Sequence, residues 1–199
     1  MPLVSKYRNH QDASRIPRNV TVRVIKFKTL EEKAHWLDAA SSLDALRYGT
    51  QAVAKRFTYQ KDPELRARAI HRFVRDKIHY EHDFRTSTNQ PGEEFADPST
   101  LIKRGYGDCD DKARMFVALM RAAEIVDPVG TEARIRAVFE KDPKAFVHVQ
   151  AETRFPNSKR VKNAMPDGWI LAELILKGCE LGQNPDEVPR GPGGEKVLA

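Results

Sequence analysis

The stretch Gly105-Tyr106-Gly107-Asp108-Cys109-Asp110-Asp111-Lys112-Ala113 constrains the fold more than any other part of the chain. Its two glycines permit a tight turn in which backbone approaches backbone closely. Directly after them, Ala113, Phe116, Val117 and Met120 fall at i, i+3, i+4 and i+7, the spacing of one helical face. Asp108 is of a type preferred as N-cap, because its side chain accepts from an otherwise unpaired backbone N–H. The spacing therefore predicts a helix that starts at Asp108 or Cys109 and ends near Ile125. Cys109 falls in its first turn, where unpaired N–H groups and the helix dipole stabilise a thiolate. That position can lower the thiol pKa, whereas the acids Asp108, Asp110 and Asp111 in the first turn oppose a thiolate. Buried cysteines are ordinarily inert filler; a helix start after a Gly-x-Gly turn singles this one out as a nucleophile candidate.

The rest of the composition sets bounds. A chain of 199 residues is one domain with appendages, large enough to hide about 70% of its unfolded surface. No apolar run approaches the ~20 residues of a membrane span, and the first residues, Met1 to Arg8, lack the apolar segment of a secretory signal. No membrane association is expected. Two cysteines, Cys109 and Cys179, make no disulfide framework, which reads as a reducing, cytoplasmic place of synthesis. The formal charge is +6, and the excess lies partly in Lys6, Arg8, Arg15, Arg18, Arg23, Lys26 and Lys28, opposed there only by Asp12. Lys159, Arg160 and Lys162 form a second basic group. Both read as solvated stretches, so no nucleic-acid partner is expected.

Taken in order, residues 1–18 are an extended basic arm, 19–182 a folded domain with its core at about 62–177, and 183–199 a flexible Pro/Gly-rich tail. Alternation over Val20 to Phe27 predicts a strand with a bulge at Val24-Ile25. Thr29-Leu30-Glu31-Glu32 is a capping box, with Leu30, Ala34, Leu37 and Ala40 as the stripe of the helix that follows. Ser41-Ser42 and Gly49 interrupt it, so two helices are expected before Phe57. Asp62-Pro63-Glu64 opens another helix, on which Leu65, Ala69, Phe73 and Ile70, Val74, Ile78 line the apolar face. His71, His79 and His82 read as surface or boundary residues. His79-x-x-His82 has no third ligand at a suitable spacing, so neither a metal nor another cofactor is expected. Residues 83–104 form a loop that ends in a short helix after Asp97-Pro98. Strands are expected around Ile135–Phe139 and Phe146–Phe155, with a turn at Lys141–Lys144, and a largely buried strand over Gly168–Leu176.

On the second of these strands Val147, Val149 and Ala151 face one way; His148, Gln150, Glu152 and Arg154 face the other. A thiol at a helix start, an imidazole on a strand and a carboxylate, Glu173, on the next strand are the parts of a Cys–His–acid site. In such a site the imidazole takes the thiol proton and a third group fixes its tautomer. Glu173 is the lone charge in the apolar run Trp169–Leu176, and a buried carboxylate needs a partner. Its partner is expected to be His148, the alternative being an ion pair with Arg134, Arg136 or Arg154.

Residues 107–125 resemble the cysteine motif of the transglutaminase-like superfamily. The strand from Ala133 to Phe139, the segment His148-Val149-Gln150-Ala151-Glu152, the segment Gly168 to Glu173, and the helix from Ala69 to Tyr80 resemble that family's other motifs. The likeness covers about residues 62–177. It implies an α+β, papain-like fold, with the nucleophile at the N-terminus of a central helix packed on an antiparallel sheet. By the resemblance, Cys109 is the nucleophile, His148 the base, and Glu173 stands where the family typically has Asp, with Gln150 or Asn163 as substitutes. The oxyanion hole would use the Cys109 backbone N–H and an upstream side chain, for which Tyr80 is the candidate. The implied activity is thiol-dependent attack on a peptide or protein amide. Water as acceptor makes a peptidase or amidase and an amine makes a transglutaminase; a chain with no calcium loop and no accessory domains leans towards hydrolysis. The motif also resembles that of small members carried by bacteriophages. The second reading is therefore a structural or assembly role in a virion or tail, with the arm and tail binding phage structural proteins.

Overall fold

The computed structural model describes residues 27, 29–81, 95–138, 148–156 and 164–187. The basic arm, the expected strand over Val20–Phe27 apart from Phe27, His82, the Lys141–Lys144 turn, the Lys159–Lys162 basic group, Asn163 and the tail from residue 188 lie outside these.

Local capping chemistry sets the helix starts. Thr29 accepts the Glu32 N–H at 3.1 Å and opens α1, Leu30–Ala45. Ala34, Leu37 and Ala40 are buried along it. Ser41 does not break α1: its hydroxyl donates to the Leu37 carbonyl at 2.8 Å within the helix. The break comes at Leu46-Arg47, after which α2 runs Tyr48–Ala54 and a 3₁₀ turn runs Lys55–Phe57. Asp62 accepts the Leu65 N–H at 2.8 Å and, with Pro63 at the first helical position, opens α3, Pro63–Lys77. Its buried face is Ala67, Ile70, His71 and Val74, while Leu65 is 52% exposed. Of the expected face, Ile70, Val74 and Ile78 are buried and Ala69 and Phe73 pack against the core, so only Leu65 is corrected; His71, expected at the surface or a boundary, is fully buried. His79, just past the helix, is exposed.

Asp97 caps α4, Pro98–Arg104, and the chain then enters the Gly-x-Gly turn. Gly105 sits at φ +78° as the left-handed residue that ends α4. A short β1, His79–Tyr80, pairs in parallel with β2, Tyr106–Gly107, through His79 N–H to Gly105 O (2.9 Å) and Glu81 N–H to Gly107 O (3.0 Å). Gly107 is glycine for lack of space. An added Cβ would stand 2.7 Å from Leu101 Cδ2 and 2.9 Å from both Cβ and Oδ2 of Asp111. Asp111 cannot yield, because its carboxylate holds the Ala96 N–H (2.8 Å) and the Arg104 guanidinium.

α5, Cys109–Val126, follows and is buried along most of its length. Against it pack α1, α2 and α3, together with an antiparallel sheet of order β3-β4-β5. β3 is Glu132–Val138, β4 His148–Arg154 and β5 Ile170–Ala172, with Val138 opposite His148 and Ala151 opposite Ala172. Asp38 of α1 accepts the Ile135 N–H at 3.0 Å and Arg121 of α5 donates to the Ala133 carbonyl at 2.9 Å, which satisfies the outer edge of β3. The strand expected over Gly168–Leu176 is only three residues long, so Glu173 lies just past its end. No described helix is long and apolar enough to cross a membrane.

The packing under Gly107 yields a direct expectation. Gly107→Ala should lower stability by about 1–3 kcal/mol, the usual cost of overpacking. Gly105→Ala, which meets no atom within 4 Å but keeps a positive φ, should cost about 1 kcal/mol. Urea midpoints measure both; a Gly107→Ala protein as stable as wild type would contradict the account.

Candidate active site

The turn delivers Cys109 as the first residue of α5. Asp108 accepts the N–H groups of Asp110 (3.0 Å) and Asp111 (3.1 Å), so its Oδ1 is spent on capping. Cys109 is 7% exposed. Its thiol donates to Asp110 Oδ1 at 3.5 Å, and the backbone N–H of Val149, the neighbour of His148, acts on it in favour of the thiolate. Burial, then the negative charges of Asp110 and Asp108, push the thiol pKa well above its ordinary value against the opposing pull of Val149 N–H and Lys33. The lowering that a helix start offers is therefore overcome: the helix N-terminus is present, but desolvation and two carboxylates outweigh it.

His148 opens β4, and its Nε2 lies 3.3 Å from Glu173 Oε2. Glu173 is 3% exposed, and its Oε1 accepts the Ile175 N–H at 2.9 Å. Burial opposes ionisation of Glu173, but the His148 hydrogen bond and charge, the Ile175 N–H and nearby His71 outweigh it and hold the carboxyl below its ordinary range. An ionised carboxylate only accepts, so His148 Nε2 carries the proton and Nδ1 keeps its lone pair in the neutral ring. The arginines named as alternative partners are engaged elsewhere: Arg134 and Arg136 converge on Glu152, and Arg154 pairs with Glu132.

Gln150 is half-buried two residues beyond His148 and opposite Arg136 in the sheet. Tyr80 is half-buried and sits opposite Gly107 in the β1–β2 pair, two residues before Cys109. Two buried polar residues beside Glu173 escaped the sequence reading. The first, His71, has Nε2 2.7 Å from the Glu173 carbonyl. The other, Lys112, is fully buried and feels the charge of Glu173. Helical spacing held the clue in both cases, since Ala67, Ile70/His71 and Val74 share one stripe and Lys112 shares another with Phe116.

Among the described residues, Asp108, Cys109 and Asp110 are the one group of three such donors, their ligand atoms within 4.8 Å of one another. Asp108 Oδ1 accepts two backbone N–H groups and Asp110 is paired with Lys33.

With this geometry in place, the comparisons with known proteins define the class. The chain belongs to the transglutaminase-like superfamily, whose family model matches residues 51–173, more than half of its length. A solved structure described as a "putative protease" from Parabacteroides distasonis ATCC 8503 superposes with a TM-score of 0.42 at 13% identity. The match covers 74% of this chain and 30% of that one, so this chain spans less than a third of that protein. No curated protein matches the chain.

Burial lowers the His71 pKa from 6.5 to about 4 despite the hydrogen bond to Glu173. Between those pH values the unfolded chain binds a proton that the folded protein refuses. Stability contributed by neutral His71 is thus complete above pH ~6.5 and lost as pH falls towards ~4, by about 3 kcal/mol. Urea unfolding across this range should show a steeper acid loss for wild type than for His71→Gln. Parallel curves would contradict the assignment.

Proposed function

We propose that the protein is a thiol-dependent amide hydrolase, or an acyl transferase working through the same thioester. Cys109 is its nucleophile, His148 its general base and Glu173 the group that orients the imidazole. The observation that carries this reading is the Glu173–His148 contact, which leaves Nδ1 as the basic nitrogen on the residue next to Val149, whose backbone N–H favours the Cys109 thiolate.

The steps follow from these roles. The thiol proton passes to His148 Nδ1 as Sγ bonds to the amide carbonyl carbon, and the carbonyl oxygen gains the negative charge. The Cys109 N–H is not among the groups that Asp108 accepts, and it supplies one oxyanion donor; Tyr80, next to the same turn, is the candidate for the second. The imidazolium, held by Glu173, then gives its proton to the departing amine as the C–N bond breaks, leaving a thioester. Water deprotonated by His148 releases a carboxylic acid; an amine in its place forms a new amide. Gln150, on the same strand face as His148, supports the imidazole side of the site. A high resting thiol pKa suits this sequence, because proton transfer then accompanies attack instead of preceding it. No observation favours the assembly reading, whose arm (1–18) and tail beyond residue 187 lie outside the described residues.

The test is chemical labelling followed by trapping. Iodoacetamide should modify Cys109 at least ~10-fold faster than the fully buried Cys179. His148→Ala should slow Cys109 by about 10²-fold, the scale of general-base assistance. Turnover of a peptide amide in the presence of hydroxylamine, with hydroxamate formed, would show the thioester. Equal labelling of both cysteines, or a Cys109 rate indifferent to His148, would overturn the reading.

A further inference from the structure

Behind the His148–Glu173 contact runs a buried polar chain that the proposed chemistry does not use. It begins on α5, one turn beyond Cys109, where the Lys112 ammonium donates to the carbonyls of Ile78 (2.6 Å) and Arg75 (3.2 Å). These carbonyls close the C-terminal end of α3, where unpaired C=O groups and the negative end of the dipole suit a cation. The chain continues along α3, back one turn, to His71. There Nε2 meets the main-chain carbonyl of Glu173 at 2.7 Å. A carbonyl only accepts, so Nε2 is the donor, and Nδ1 is left a buried acceptor with no hydrogen-bond partner. Glu173 in turn directs its carboxylate at the Ile175 N–H and at His148.

We propose that Lys112 and His71 are positioning residues that fix the main chain of Glu173 relative to the first turn of α5, and so set how His148 faces Cys109. The inference rests on the roles given above to Cys109, His148 and Glu173. Two observations carry it. β5 ends at Ala172, so Glu173 lacks the ladder bonds that would hold a strand residue; the bond from His71 takes their place. The long, flexible glutamate side chain also makes a fixed backbone more necessary. The second observation is cost. A buried ammonium and an imidazole with an orphan nitrogen are both expensive where aliphatic side chains would pack, and costly groups placed in a single chain point to a demand for geometry. Displacement of a reacting group by 1 Å can cost about 10²-fold in rate, so the demand is real.

The full chain is tested with His71→Leu, which cannot donate, His71→Gln, whose amide can, and Lys112→Met. The readout is the iodoacetamide rate of Cys109 at neutral pH beside the urea midpoint of each variant. His71→Leu should slow the His148-dependent rate at least ~10-fold, His71→Gln should restore it to within ~3-fold, and Lys112→Met should follow His71→Leu. Because both residues act in one chain, the double variant should be no slower than the slower single one. A folded His71→Leu with the wild-type rate overturns the proposal, as does a His71→Gln as slow as the leucine variant. Should His71→Leu fail to fold, Lys112→Met at the wild-type rate does so equally. If wild type itself shows no dependence on His148, the catalytic reading fails, and hydrogen exchange at the Ile175 amide judges the clamp. Exchange should be about 10-fold faster in His71→Leu than in wild type or His71→Gln; equal exchange overturns it.

Discussion

Four ionisable side chains buried within the first six residues of α5 decide where the surrounding elements sit. Asp110, Asp111, Lys112 and Arg114 are each less than a tenth exposed, and none could be left without a counter-charge or hydrogen bonds. Their partners come from three other helices. Asp110 takes Lys33 of α1, and Asp111 takes Arg104 at the end of α4. Lys112 takes the carbonyls at the end of α3, and Arg114 donates to Asp44 of α1 at 2.7 Å. Removing one partner of such a pair typically costs about 3–5 kcal/mol, so the first turn of α5 acts as a hub from which three other helices are aligned. Cys109 sits at the tip of that hub.

The same burial sets the chemistry of the thiol. A helix N-terminus offers a partly buried anion up to about 2 kcal/mol, or between one and two pKa units. Desolvation at 7% exposure, with Asp110 and Asp108 beside the sulfur, works the other way and is larger. The resting group is therefore a neutral thiol hydrogen-bonded to Asp110. Lys33 offsets part of the Asp110 charge from the far side, and its ammonium also lies 5.5 Å from the centre of the Phe95 ring. In the proposed reaction, reactivity then depends on the His148 imidazole, whose Nε2 lies 3.3 Å from the buried Glu173 carboxylate.

Local chemistry was readable in the chain, and tertiary choices were not. Thr29 with Glu32, Asp62 with Pro63, and Asp108 after Gly107 all cap the helices they announce, because a cap depends on neighbours three residues away. The superfamily was likewise legible from the cysteine motif, and its family model matches residues 51–173. On α3 the apolar residues span one wide face, and only the packing of the fold decides that Leu65 is left out of it and His71 taken in. The strand after Gly168 looked long because Leu174 and Leu176 are apolar and buried. It stops at Ala172 because the Glu173 carboxylate turns back to take the Ile175 N–H. The thiol pKa was half legible for a similar reason: the helix position and the acids beside Cys109 are local, whereas burial, the largest influence, belongs to the whole fold.

The central claim is that a buried, ionised Glu173 fixes His148 in the one tautomer that leaves Nδ1 basic. Long-range ¹H–¹⁵N correlation of the histidine rings measures this directly. At a pH where the ring is neutral, the account predicts a proton on His148 Nε2 and a bare Nδ1, with the preference lost in Glu173→Ala. A proton on Nδ1, or a tautomer that does not change when the Glu173 carboxylate is removed, would contradict it.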